Sequence, residues 1–198
     1  MTARHVAPAG LRERKKAKTR AAIREHALRL FREQGYAATT VEQIAEAAEV
    51  SESTFFRYFP TKEDVVLQDD FDRLAIEALE QQPPELRPIA ALRGAMRAAF
   101  ARLSAEELEQ LRQASTLAWS VPELRARILG EFARTVQVTA EALAKRVARP
   151  PNDLVVRTVA GAVLGVGLAA WFAADDDMEE YLKLFDAGLA HLEAGLPL

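Results

Sequence analysis

The residues Thr39–Val66, TTVEQIAEAAEVSESTFFRYFPTKEDVV, decide the fold of this chain. Thr40 and Gln43 have the spacing of a capping box, which predicts that a helix starts at Thr40. The apolar residues that follow share one helical face at i, i+3, i+4 and i+7: Val41, Ile44, Ala45 and Ala48. This half of the stretch therefore predicts one short amphipathic helix.

A second short helix follows after a tight turn. Ser51 can cap its N-terminus, Phe55 and Phe59 form its buried face, and Pro60 ends it. Thr61, with Asp64 three residues on, starts the next helix. Two helices joined in this way predict a helix-turn-helix, whose second helix can enter the major groove of DNA.

The segment GYAATTVEQIAEAAEVS followed by STFFRYFPTKEDVV resembles the N-terminal domain of the TetR family of transcriptional regulators. The resemblance covers roughly residues 19 to 67. It implies an all-α homodimer with a three-helix DNA-binding head and a C-terminal helical body that pairs through its last two long helices. It also implies transcriptional regulation, most often repression of a palindromic operator, relieved by a small molecule.

Composition limits the other function classes. The chain has 198 residues, of which 49% are hydrophobic and 28% are charged, as in an ordinary globular protein. It has no cysteine, which excludes disulfides, zinc–thiolate sites and cysteine nucleophiles. The N-terminus lacks the apolar segment of a signal peptide, so we expect a cytoplasmic protein.

Charge is distributed unevenly. Residues 1–62 contain 12 Lys and Arg against 7 Asp and Glu, whereas the rest contains 14 against 22. The run RERKKAKTR (12–20) is either an arm that contacts phosphates or a solvated helix start. We expect three regions: a disordered basic arm (1–18), the helix-turn-helix domain (19–66), and a ligand-binding and dimerisation domain (67–198).

Periodicity predicts helices throughout the remaining chain, about nine in all. The first helix should bury a face through Ile23 and Phe31 and end at Gly35 in a left-handed C-cap. A helix from Lys62 to Gln82 is expected to run unbroken until Pro83 and to link the two halves. Its acidic residues Asp69, Asp70 and Asp72 lack further ligands, so we interpret them as a solvated face and expect no metal.

The resemblance assigns DNA contacts to the exposed positions of the second short helix and its neighbours. Arg57 is the best candidate for guanine, Thr54 and Tyr58 can donate to phosphates, and Lys62 can contact a phosphate at a helix start. The full predicted set is Thr40, Glu52, Ser53, Thr54, Phe56, Arg57, Tyr58 and Lys62. Phe56 replaces the usual tyrosine of the family, and Glu49 stands where glycine is common in the turn.

Residues 155–174 form a nearly uninterrupted apolar stretch, long enough to cross a bilayer. One interpretation is a membrane-tethered helix-turn-helix protein. The favoured one is a helix buried in a dimer, because Arg157 and three glycines interrupt the stretch. The predicted dimer interface comprises Val159, Gly161, Gly165, Tyr181 and Phe185.

The body carries adaptable and aromatic side chains that could line a cavity. The predicted lining is Met96, Phe100, Trp119, Phe132 and Trp171, with the hydroxyls of Thr116, Thr135 and Thr139 close by in sequence. The body is acidic, so we expect a largely apolar or cationic effector, although an acyl-thioester could keep its charged end outside.

The enzyme alternative, a ligand-binding enzyme with a vestigial head, has little support. The three histidines are scattered, and no nucleophile elbow, phosphate loop or zinc motif is present. We expect neither catalysis nor a cofactor.

Overall fold

The computed structural model describes residues 10–68 and 71–197. Its regular elements in these ranges are all helices, as the sequence predicts. They divide into two units, Met1–Gln68 and Asp69–Leu198, called here the head and the body. The helices are α1 (Leu11–Gln34), α2 (Val41–Ala47), α3 (Glu52–Tyr58), α4 (Lys62–Leu67), α5 (Phe71–Glu80), α6 (Pro88–Phe100), α7 (Ala105–Ser120), α8 (Pro122–Val147), α9 (Leu154–Ala173) and α10 (Met178–Glu193).

Side-chain caps set the helix starts in the head. Thr40 and Gln43 form a complete capping box at α2, and Thr61 and Asp64 form another at α4. The hydroxyl of Ser51 accepts the amide of Thr54 at the start of α3. These three caps confirm the starts that the sequence predicts, because each satisfies amides that have no partner inside the helix.

The head has a small core in which α1 packs against α2 and α4. Ile23, Phe55 and Phe59 are fully buried. Tyr36 packs on Phe31 with ring centroids 5.0 Å apart, as expected for a chain that turns back after α1. Gly35 has φ +87°, so the expected positive φ is present, but its ψ of 153° lies outside the left-handed helical region.

Two expectations about helix limits are corrected. Helix α1 begins at Leu11, so residues 11–18 of the predicted disordered arm are helical; their Lys, Arg and Ala residues favour helix. Residues 1–9 lie outside the described part. The predicted helix from Lys62 to Gln82 is two helices, because Gln68 is extended (φ −103°, ψ 108°). The carbonyl oxygen of Gln68 accepts hydrogen bonds from Arg20 and Arg24.

The body has one core to which α5, α6, α8, α9 and α10 contribute. Ser104 and Glu107 form the predicted capping box of α7, Pro122 opens α8, and Asp153 caps α9. Helix α9 is long and apolar enough to span a membrane, yet it packs along α8 and α10, and 22% of its most apolar window is buried inside the protomer. It supplies Val156, Ala160 and Val163 to the core.

Candidate functional site

Helix α3 is anchored to the head through its inner face, which leaves its outer face exposed to solvent. Phe55 and Phe59 anchor it in the core of the head. The guanidinium of Arg20 donates to the carbonyl oxygen of Tyr58 at 3.0 Å and lies 4.3 Å from the centre of the Phe59 ring. Arg20 therefore supplies a hydrogen-bond donor to a carbonyl oxygen at the C-terminal end of α3, and it links α3 to α1.

The outer face of α3 carries the side chains expected to contact DNA. Glu52, Ser53, Phe56 and Arg57 are exposed, and Thr54 and Tyr58 are half-buried. The apolar Phe56 ring is 47% exposed, so it does not belong to the core of the head. The other predicted contact residue, Thr40, is exposed at the start of α2.

A basic groove of about 860 Å³ lies between the N-terminal part of α1 and the C-terminal part of α3. It is lined by Leu11, Arg12, Lys15, Lys16, Thr19, Arg57 and Tyr58. Four of these seven side chains are cations and none is a carboxylate. The basic run and the predicted base-reading arginine thus form one continuous positive surface, which suits a polyanion.

Lys62 is placed differently from the expectation of a free phosphate contact. Its ammonium donates to the carbonyl oxygens of Tyr36 at 2.8 Å and Thr39 at 3.0 Å, and it lies 4.0 Å from the centre of the Tyr36 ring. It joins the loop between α1 and α2 to the start of α4. Lys62 therefore links two segments of the head, because its ammonium already donates to carbonyl oxygens there.

Glu49, in the turn between α2 and α3, has φ +53°. In the family that the head resembles, glycine is common at this position. A residue with a Cβ pays about 1 kcal/mol for the left-handed conformation. The turn keeps its geometry at this cost, because Val50 donates its amide to the carbonyl of Ala45 at 2.9 Å.

The body contains a cavity of about 380 Å³. Four of the five side chains predicted to line it do so: Met96, Trp119, Phe132 and Trp171. Thr135 and Thr139 also line it, whereas Thr116 is exposed and bonds to Asp176. The walls are mostly apolar with few polar groups, the composition of a small-molecule site.

Asp72 gives this main cavity a polar end. Its carboxylate accepts hydrogen bonds from Arg134 at 3.1 Å and from the hydroxyl of Thr135 at 3.2 Å. The expectation that Asp72 belongs to a solvated acidic face is wrong, because α5 turns it toward α8; Asp69 and Asp70 lie outside the described residues. Within the described ranges, no group of His, Asp and Glu is arranged to hold a metal.

Phe100 lies in a second cavity rather than in the main one. Its ring contacts Phe71, with centroids 4.3 Å apart. This side cleft has a volume of about 280 Å³ and lies between α6 and α10. Its lining is Arg93, Met96, Arg97, Phe100, Ala101, Leu182, Phe185, Asp186 and Leu189.

Two arginines of the side cleft share the carboxylate of Asp186, and Arg93 also donates to Glu193 at 3.3 Å. Arg97 donates to Asp186 at 2.7 and 2.8 Å, and Arg93 donates to it at 3.0 and 3.3 Å. Hydrogen bonds from Arg97 and then Arg93 lower the pKa of Asp186 to about 2. The sequence analysis did not identify this cluster; the i, i+4 spacing of Arg93 and Arg97 was the available signal.

The predicted dimer residues fall on two different faces. A Cβ added at Gly161 or Gly165 would meet no neighbouring atom within 4 Å, so both glycines border open space. Phe185 is only 5% exposed and belongs to the protomer's own core, where Val159 and Tyr181 also pack. The assignment of Phe185 to an interface is wrong, because α10 turns that side chain inward.

Comparison with known families agrees with this architecture. The family model described as "Bacterial regulatory proteins, tetR family" matches residues 23–68, and the model described as "MftR C-terminal domain" matches residues 86–197, more than half of the chain. The chain belongs to the TetR family.

Individual TetR-family proteins are similar over nearly the whole chain. The HTH-type transcriptional regulator TcmR of Streptomyces glaucescens is 36% identical, covering 94% of this chain and 88% of TcmR. The repressor FadR of Thermus thermophilus, solved with lauroyl-CoA, is 26% identical with a TM-score of 0.57, covering 90% of this chain and 95% of FadR. These relatives are transcriptional regulators, and none supports the membrane-tethered alternative.

A more distant structure agrees in fold alone. The complex of SmeT with triclosan is 20% identical, has a TM-score of 0.55, and covers 87% of this chain and 90% of SmeT. SmeT is the repressor of the multidrug efflux pump SmeDEF of Stenotrophomonas maltophilia. The all-α architecture of this TetR-family regulator therefore recurs in proteins that share about a fifth of its residues.

Proposed function

We propose that this TetR-family regulator is a cytoplasmic, homodimeric repressor that binds a palindromic operator and leaves it when a small molecule enters the body. The basic groove between α1 and α3 carries the DNA-binding part of this proposal. Helix α3 offers Arg57 and Phe56 to base edges, while Arg12, Lys15 and Lys16 follow the phosphates.

The role of Arg57 is reading sequence. Its guanidinium is exposed at the rim of the groove and lies 5.4 Å from the centre of the Tyr58 ring, which orients it along α3. An arginine held in this way can donate two hydrogen bonds to one guanine. Lys15 and Lys16, one helix away, would contribute charge without sequence preference.

Selection of bound fragments from random duplex DNA tests this function. We expect an inverted repeat whose half-sites are about one helical turn apart, or a multiple of it. With the selected operator, Lys16→Ala should weaken binding to operator and random DNA alike. Arg57→Ala should weaken operator binding more than random binding. Failure to enrich any sequence would contradict the proposal.

The dimer is proposed to form through the outer face of α9 together with α10. Leu154, Val155 and Phe172 are apolar and more than half exposed on α9, and Gly161 and Gly165 would allow a second helix to approach closely. An apolar face of this length is typical of an association surface. Sedimentation of the purified protein tests whether it is a dimer.

The effector is proposed to occupy the main cavity. Its apolar walls support this role, and FadR, a relative in sequence and fold, was solved with lauroyl-CoA. A ligand that favours the non-binding arrangement of the two heads would shift the population away from DNA. Binding should also raise the melting temperature of the free protein by mass action.

A further inference from the structure

The main cavity and the side cleft share part of their lining. Met96 from α6 and Phe185 from α10 line both of them. Met96 is unbranched and has several rotatable bonds, so it can change conformation at low cost. Met96 and Phe185 are thus common to the two spaces, and Met96 is the more adaptable of the two.

The volumes are compatible with an occupant that extends through both spaces. Small-molecule sites usually enclose about 300–1,000 Å³. The main cavity, with 380 Å³, is near the lower limit, and the side cleft, with 280 Å³, is below it. A ligand placed in both would have a site of ordinary size.

The cationic side chains indicate the orientation of such a ligand. Among the residues that line the two spaces, the cations are Arg93 and Arg97, both in the side cleft, and the carboxylate of the main cavity is Asp72. Asp72 is already paired with Arg134. Arg93 and Arg97 are paired in turn with Asp186 and Glu193, so both places are balanced in charge. The cationic hydrogen-bond donors that line the two spaces nevertheless lie in the side cleft, which is where an anionic group would find them.

The arginine pair already shows how it holds a carboxylate. Both oxygens of Asp186 accept hydrogen bonds from both guanidinium groups, in the forked geometry that arginine forms with carboxylates. The side chain of Arg97 is 63% exposed, so a ligand can reach the outer edge of its guanidinium group. A ligand carboxylate would bind beside Asp186 or replace it.

We propose that the effector is an amphiphile with a single anionic group, whose apolar tail fills the main cavity and whose anionic head binds Arg93 and Arg97 in the side cleft. This inference rests on the proposed effector-responsive function. It replaces the largely apolar or cationic effector expected from the sequence with an amphiphile that carries one negative charge.

Three probes of equal chain length test the head group: dodecanoate, dodecanol and dodecyltrimethylammonium, each below its micelle concentration. Both tryptophans of the chain line the main cavity, so their fluorescence reports entry of the tail. We expect dodecanoate to bind about five- to tenfold more tightly than dodecanol, the ratio for a partly exposed charged hydrogen bond, and the cation to bind most weakly.

Two variants with opposite expected effects separate head-group recognition from a structural role. Arg97→Gln should weaken dodecanoate about five- to tenfold and leave dodecanol unchanged. Asp186→Asn removes the carboxylate that both arginines share, while Arg93 keeps its ion pair with Glu193, and should strengthen dodecanoate by about threefold or more. Arg125→Gln, which removes an exposed cation elsewhere in the body, is the control and should change neither probe.

The inference is overturned if no probe binds, if the neutral or cationic probe binds as tightly as dodecanoate, or if both cleft variants shift all probes in one direction. Operator binding is measured separately without probe. Specific operator binding without preference for dodecanoate refutes this inference alone, whereas absence of specific operator binding refutes the proposed function.

Discussion

Replacing Lys62 with methionine removes the ammonium that ties α4 to the loop between α1 and α2, and it keeps most of the apolar stem. The ammonium donates two hydrogen bonds, at 2.8 and 3.0 Å, to the carbonyl oxygens of Tyr36 and Thr39. Its position 4.0 Å from the centre of the Tyr36 ring adds a cation–π contact. The variant therefore tests whether Lys62 stabilises the head or contacts DNA.

The loss of stability follows from these contacts. Hydrogen bonds to a charged group contribute about 1.5–3 kcal/mol each, and a cation–π contact contributes about 0.5–1 kcal/mol. They share one ammonium and are not additive, and the carbonyl of Tyr36 also accepts the amide of Thr39 at 3.3 Å. We expect Lys62→Met to destabilise the head by about 2–4 kcal/mol.

Hydrogen exchange of the intact protein measures this loss locally. Both tryptophans lie in the body, so intrinsic fluorescence would not report unfolding of the head. Peptides covering α2, α3 and α4 should lose protection, while those of the body should not. Lys18→Met, which removes an exposed cation on α1, is the matched control.

One result would refute the reasoning. If Lys62→Met keeps normal protection of the head but binds all DNA sequences more weakly, with a salt dependence shallower by about one unit, Lys62 is a phosphate contact. From the contacts of Lys62 we expect the opposite result, in which the head loses protection from hydrogen exchange. Below the melting temperature of the head, the salt dependence should be unchanged.

Four further outcomes are expected. Arg57→Ala should cost about 1–3 kcal/mol of operator affinity and relax preference at one base position, measured by fluorescence anisotropy on operator variants. Replacing Gly161 and Gly165 with leucine should force apart the helices that pair in the proposed dimer; a normal dimer in sedimentation would place the interface elsewhere. Glu49→Gly should stabilise the head by about 0.5–1 kcal/mol in thermal unfolding, because it relieves the left-handed conformation. The pKa of Asp186 is about 2 in the folded protein against an ordinary value of 3.8, so its ion pairs stabilise above pH 3.8 and are lost as the pH falls from 3.8 toward 2. Asp186→Asn should therefore remove about 1 kcal/mol at neutral pH, allowing for its 31% exposed side chain, and flatten urea stability across the acid range.

Local rules determined much of the head from the sequence. Each cap pairs a side chain with an amide about three residues away, so Thr40, Ser51 and Thr61 mark their helix starts without knowledge of the fold. The spacing of Phe55 and Phe59 identified the buried face of α3. The remaining positions of the helix were thereby identified as its exposed face. The apolar lining of the main cavity was also predictable in part, because Met and aromatic side chains are concentrated on few helices.

The tertiary structure decided which charged side chains are free. The partners of Lys62 lie 26 and 23 residues away, and the partner of Arg20 in α3 lies 38 residues away. Asp186 meets Arg93 across 93 residues. A sequence pattern shows that each of these residues is charged, but only packing brings its partner within hydrogen-bonding distance.

The sequence pattern also failed to show two other features: the helix end at Gln68, and which side of α9 faces the core. No proline or glycine marks Gln68, whose carbonyl oxygen accepts hydrogen bonds from Arg20 and Arg24, more than 40 residues away in sequence. Helix α9 is apolar nearly all round, so periodicity could not distinguish its core-facing side from its open side. The sequence by itself determined where most helices start and that the head resembles a DNA-binding domain. Only the packing of distant segments decided which of their side chains remain available to DNA, to an effector or to a second subunit, because availability depends on contacts between residues far apart in the chain.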